Sequence, residues 1–168
     1  SCPNNCGLCT NHLSHSGLAN IIVTNRCDLT CWYCFFYVKK GLEGAYMYEP
    51  SQDQVRAMMK TLRAERPIPG NSMQITGGEP MLREDITDLI KIMKEEHVDH
   101  IQMNTNGIRH ALDPEAGRDV RMAGCNNLYL SFDGVTARTN PKNHWEIPYA
   151  LDTCRKTGTT VVFVPTVI

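Results

Sequence analysis

The sequence predicts an α/β protein built on a parallel sheet. Short apolar runs alternate with segments whose apolar residues recur at helical spacing. Turn and breaker signals separate the two kinds of segment. The residues able to carry chemistry fall just after the apolar runs, at the strand ends where open parallel sheets bind their ligands.

The elements follow in order. Residues 18–24 hold Ile21, Ile22 and Val23 and read as a buried strand that delivers the chain into a cysteine-rich loop. Ser51 with Gln54 is a capping-box pattern. Val55, Met58, Met59 and Leu62 follow at helical spacing, so the first helix is expected over 52–65, and Pro67-Ile68-Pro69-Gly70 breaks it. Residues 72–76 are the second strand, leading into Gly77-Gly78-Glu79-Pro80. Ile86, Leu89, Ile90 and Met93 mark one face of a helix over 84–96. The third strand, 100–104, ends in Thr105-Asn106-Gly107. Asp113 with Pro114 is an N-cap followed by an N1 proline; that helix runs to 123, with Gly124 as its stop. The fourth strand, 127–131, ends in Phe132-Asp133-Gly134. A helix over 147–156, stopped by Gly158, leads to a fifth strand over 159–168. Right-handed crossovers would place the cysteine loop, the Gly-Gly-Glu-Pro turn, residues 104–107 and residues 131–134 on one rim.

The 168 residues suffice for one domain with a real core, and the formal net charge of −1 with 21% charged residues shows no basic stripe for nucleic acid. No run is long enough to span a bilayer. No signal peptide is expected, because the N-terminus is polar and cysteine-rich. The chain starts at Ser1 rather than Met and ends in a strand without a turn, so it reads as a piece of something longer. Six of the eight cysteines form two tight clusters, at 2, 6, 9 and at 27, 31, 34. Such clustering favours metal over disulfides and a reducing compartment, most simply the cytoplasm.

Cys27, Cys31 and Cys34 form a C-x3-C-x2-C run within residues 25–37. Three thiolates at this spacing can each hold one iron of a 4Fe–4S cube, leaving the fourth iron open to a ligand. Trp32, Tyr33, Phe35 and Phe36 are expected to shield the cube. A rival reading joins Cys6-x2-Cys9 to Cys31-x2-Cys34 as a four-cysteine zinc knuckle on a non-catalytic binding module. It leaves Cys2 and Cys27 without a role and puts a buried strand between the halves. Cys2, Cys6 and Cys9 repeat the three-cysteine spacing without a preceding strand. They read either as a zinc site completed by His12 or His15, or as part of an auxiliary iron site, with the iron reading favoured. Cys125 and Cys154 read as buried structural thiols.

The three-cysteine loop after a strand, followed by Gly77-Gly78-Glu79-Pro80 after the next, resembles the radical S-adenosylmethionine (SAM) superfamily from about residue 19 to the end. The resemblance implies a partial (β/α) barrel, of which about four and a half β/α units are present in residues 18–168, preceded by a cysteine-rich segment over 1–17. It implies that a 4Fe–4S cluster on Cys27, Cys31 and Cys34 binds SAM and cleaves it reductively to a 5′-deoxyadenosyl radical. An external electron donor such as ferredoxin or flavodoxin would be needed. Gly77, Gly78 and Glu79 would bind the ammonium group of SAM. Tyr33 would lie beside the adenine. Asn104, Ser131 and Asp133 would reach SAM or substrate, although Asn104 to Asn106 and Asp133-Gly134 also read as plain turns. Residues 2–37 further resemble the archaeal-type group of tetraether lipid synthases and pterin methyltransferase-like proteins. That implies carbon–carbon bond formation or methyl transfer on a lipid-like or large substrate, and membrane association only through such a lipid. Leu130-Ser131-Phe132-Asp133-Gly134 also resembles a motif of peptide maturases, which makes a peptide the alternative substrate.

Overall fold

The computed structural model describes residues 16–34, 48–66, 68–132 and 144–165. Five strands, β1 (Ala19–Thr24), β2 (Ser72–Gly77), β3 (His100–Thr105), β4 (Asn127–Ser131) and β5 (Thr160–Val164), form one sheet in sequential order. All four pairings are parallel. The helices α1 (Gln52–Arg63), α2 (Ile86–Glu95), α3 (Ile108–Leu112), α4 (Pro114–Ala123) and α5 (Ile147–Thr157) lie in the connections. A strand order that never reverses, with helical connections packed side by side, is the winding of a partial (β/α) barrel.

Local sequence explains most of these elements. Ser51 Oγ accepts from Gln54 N, and Gln54 returns a side-chain acceptor to Ser51 N, so the expected capping box starts α1. Such a cap is worth about 1 kcal/mol. Asp113 Oδ1 accepts from Ala116 N ahead of Pro114. Gly124 and Gly158 end α4 and α5 with positive φ, 121° and 67°. Val55, Met59 and Leu62 of α1 and Leu89, Ile90 and Met93 of α2 pack on Ile21, Val23, Met73, Ile75, Ile101, Met103 and Leu128 of the sheet. Each such side chain contributes about 1.5–3 kcal/mol when fully buried.

Several boundaries differ from expectation. The first helix ends at Arg63 rather than 65, and α2 starts at Ile86 rather than 84 because Arg83 and Asp85 are occupied with each other. Thr105 is still strand, and an unexpected helix, α3, follows it. Five residues are too few to show a period, and its N-cap, Gly107, makes no side-chain bond; Asn106 Oδ1 closes a turn ahead of it by accepting from Ile108 N at 2.9 Å. β5 ends at Val164, and residues 166–168 lie outside the described part. Cys125 and Cys154 are buried, as expected of structural thiols.

The face of the sheet turned away from the helices is polar. Asn20 pairs with Gln74, Gln74 with Gln102, and Gln102 with Asn127, so four carboxamides form a single row across four strands. Gln102 Nε2 donates to Gln74 Oε1 at 3.0 Å, and His100 sits between Gln102 and Asn127 at 3.4 Å from each. One residue pair further along, Ile22 lies beside Thr76 and Asn104 beside Tyr129.

Candidate active site

The chemistry-bearing residues gather at the carboxyl ends of β1 to β4. β1 runs into the cysteine loop, and β2 runs into Gly77-Gly78-Glu79-Pro80. Backbone hydrogen bonds join the two exits: Gly78 N donates to Thr24 O at 2.8 Å, and Glu79 N donates to Arg26 O at 2.7 Å. This approach explains both glycines. A Cβ on Gly77, which has φ 156°, would strike the Thr24 carbonyl, and one on Gly78 would strike the Arg26 carbonyl.

Glu79 is 2% exposed. Its Oε1 accepts from Met81 N at 3.0 Å and from Thr105 Oγ1 at 2.8 Å, and its Oε2 accepts from Asn106 N at 2.7 Å. Burial pushes this carboxyl up to about 7, although the three donors oppose the shift. The side chain therefore ties the β2 exit to the β3 exit. Asn106 extends the tie, donating from Nδ2 to Asp28 Oδ1 at 2.6 Å, next to Cys27. Its carbonyl faces His144 Nε2 at 3.0 Å, while His144 Nδ1 faces Glu146 at 2.9 Å. Arg26 bonds Glu49 at 2.5 Å and the Leu82 carbonyl at 3.0 Å, holding the start of the cysteine loop.

Cys27, Cys31 and Cys34 lie on this rim, none of them in a disulfide. Cys31 is buried, Cys27 and Cys34 are half-buried, and Cys34 N closes a turn onto Cys31 O at 3.1 Å. Among the described residues, no three Cys, His, Asp or Glu side chains form a ready-made metal set, so the loop brings the thiols to one rim without gathering them on one centre. The donor set fits an iron–sulfur cluster. Burial pushes the Cys27 thiol up to about 11, with Glu79, Asp28 and Cys31 adding to the rise, so a thiolate there calls for a cation.

The other expected residues take these places. Tyr33 stands edge-on to Trp32, ring centroids 5.2 Å apart. Trp32, expected as a shield, is 65% exposed instead. Ser131 ends β4 on the polar face. Asn104 lies on the same face, and its Oδ1 is buried without a partner among the described residues. Asp133, Phe35, Phe36, Cys2, Cys6, Cys9, His12 and His15 lie outside the described residues. Sequence reasoning missed the linking roles of Thr105, Asn106 and Asp28, and it missed the carboxamide row. A signal for the row was present: β2, β3 and β4 alternate apolar with polar, and their polar positions include Gln74, Gln102, Asn104 and Asn127.

Comparison with known proteins places this rim in a family. The model of the radical SAM superfamily matches residues 21–168. The chain is 39% identical, over 99% of its own length and 33% of the relative's, to 7,8-dihydro-6-hydroxymethylpterin dimethyltransferase of Methanocaldococcus jannaschii. It is 32% identical to the GTP 3′,8-cyclase of Clostridium acetobutylicum, over 88% of this chain and 46% of that one. The chain thus spans between a third and a half of these relatives. Among solved structures, methylornithine synthase (PylB) superposes with a TM-score of 0.67 at 20% identity, covering 87% of this chain and 43% of that one, a likeness of fold. The family match begins inside β1 and takes in the cysteine loop, the Gly-Gly-Glu-Pro turn and the rest of the sheet: the chain belongs to the radical SAM superfamily, enzymes that work with a 4Fe–4S cluster and SAM.

Proposed function

We propose that the protein of which this chain is part cleaves SAM reductively and uses the resulting radical for methyl transfer or carbon–carbon bond formation at an unactivated carbon. One observation carries the reading: the three-cysteine loop and the Gly-Gly-Glu-Pro turn are held together by Gly78 N to Thr24 O and Glu79 N to Arg26 O. Cys27, Cys31 and Cys34 would hold the 4Fe–4S cluster, which would supply the reducing electron for SAM cleavage. The chain's own residues bind and orient. Gly77 and Gly78 let backbone approach the ligand closely, Tyr33 offers an aromatic face for adenine, and Asn104, Ser131 and Asp133 are the candidate polar contacts. Glu79 keeps the exits of β2 and β3 in register. An external electron donor such as ferredoxin or flavodoxin is the expected partner, and a reducing cytoplasm is the matching compartment. Among the described residues no helix is long and apolar enough to cross a membrane.

The methyl-transfer reading is supported by the likeness to the pterin dimethyltransferase. Family membership sets aside the non-catalytic zinc-knuckle reading. The test uses the full-length protein, reconstituted anaerobically and given dithionite and SAM. Wild type is expected to release 5′-deoxyadenosine and methionine, and Cys31→Ala to release neither. A variant that cleaves SAM as fast as wild type would sink the assignment.

A further inference from the structure

The interior face of the sheet departs from what stability alone would select. Parallel strands buried between layers are apolar on both faces, and barrel interiors are filled by bulky branched side chains. Here the helix-covered face obeys that rule, while the other face of β1 to β4 carries carboxamides and hydroxyls. Its only large apolar side chains there are Ile22 and Tyr129, and no Asp, Glu, Lys or Arg stands on it.

The lower part of this face is bonded within itself through Gln102, His100 and Asn127, while Asn20 and Gln74 of the same row also line a cleft. Gln102 bonds Gln74, and His100 joins Gln102 to Asn127. The upper part is not so bonded. Asn104 Oδ1 is buried without a partner among the described residues, and the cleft, of about 560 Å³, opens beside it. Asn20, Gln74, Thr76 and Asn104 line this cleft on one side, and Ile21, Ile22, Tyr48 and Met58 of α1 line it around the edge of β1. Its volume lies in the range of small-molecule sites. An unpaired buried amide oxygen costs about 1–3 kcal/mol, which a ligand N–H would recover.

We infer that this cleft is the substrate site and that its substrate is an uncharged, flat nitrogen heterocycle carrying adjacent N–H and C=O groups on one edge. A carboxamide presents a donor and an acceptor side by side, the complement of such an edge, and Asn and Gln recognise bases in this way. The absence of charged side chains on the face disfavours an anionic group at this position. An isoprenoid chain would leave the amides unpaired in an apolar contact, a costly outcome. The inference deepens the radical SAM reading and rests on it only for the placing of the reacting carbon near this rim.

Binding is measured by equilibrium dialysis on the anaerobically reconstituted full-length protein. Pterin serves as the edge-bearing probe, N3-methylpterin as the same ring with its lactam N–H blocked, and phytol as the isoprenoid. Release of 5′-deoxyadenosine from SAM is followed in the same preparation. Pterin is expected to bind, N3-methylation to weaken it about tenfold or more, and Gln74→Leu and Asn20→Leu each to weaken it about tenfold. Thermal melting checks the variants, and Asn20, at the exposed edge of β1, keeps the test available should Gln74→Leu fold poorly. Phytol binding in place of pterin, equal binding of the two pterins, no pterin binding at millimolar concentration, or wild-type affinity in the folded variants overturns the inference. Binding is read without turnover. Loss of SAM cleavage alone therefore counts against the proposed reaction, and loss of pterin binding alone counts against the proposed substrate.

Discussion

Glu79 shows what geometry adds to a motif residue. The motif marks it for the ammonium group of SAM. In the fold its two oxygens already take Met81 N, Thr105 Oγ1 and Asn106 N, and it is almost fully buried. An amide in its place would turn an NH2 group towards one of those donors. Glu79→Gln is therefore expected to destabilise the protein by about 1–3 kcal/mol. A lower urea midpoint at unchanged slope would show it; an unchanged midpoint would mean that the carboxylate is not holding the two strand exits. The glycines beside it were legible in the sequence as residues needing close backbone approach. What they approach was not legible, because Thr24 and Arg26 lie about fifty residues away in the chain and meet them only when β1 pairs with β2.

At the scale of elements, α1, α4 and the strands could be read from caps, stops and apolar periods, each a local signal. The helix α3 could not. Its five residues carry no period, and Gly107, with φ 82°, looks like a turn. Its burial comes from elsewhere, since α4 and α5 cover it. One consequence is His110, which is 1% exposed and whose two ring nitrogens have no partner among the described residues. Burial pushes its imidazole down to about 4, with Arg109 adding to the effect. Between the ordinary value of 6.5 and about 4, the unfolded chain takes up a proton that the folded chain refuses. Stability is therefore lost as pH falls through that window. His110→Leu is expected to remove this loss and to be more stable than wild type at pH 5 by about 1–3 kcal/mol. Unfolding curves at pH 7 and pH 5 test it; equal acid sensitivity in the two proteins would contradict the account.

For the whole molecule, the parallel sheet and the rim of four strand exits were legible because strand and helix signals alternate along the chain, while the singly wound order was implied only by the family resemblance. The polar interior was not, because a pattern that alternates apolar with amide is also what a half-exposed sheet would show, and only the common register of Asn20, Gln74, Gln102 and Asn127 makes it a row. The cysteine-rich start remains a proposal for a second iron site on Cys2, Cys6 and Cys9. Cys6→Ala is expected to lose part of the iron measured per chain while keeping SAM cleavage; unchanged iron, or zinc bound at these residues, would contradict it. The central claim is that Cys27, Cys31 and Cys34 hold a cluster with one iron left open to SAM. Electron paramagnetic resonance of the dithionite-reduced full-length protein tests it most directly. The account predicts a reduced-cluster signal that shifts on adding SAM and is absent from a Cys6→Ala/Cys31→Ala double variant, whereas a signal that ignores SAM and persists in that variant would contradict it.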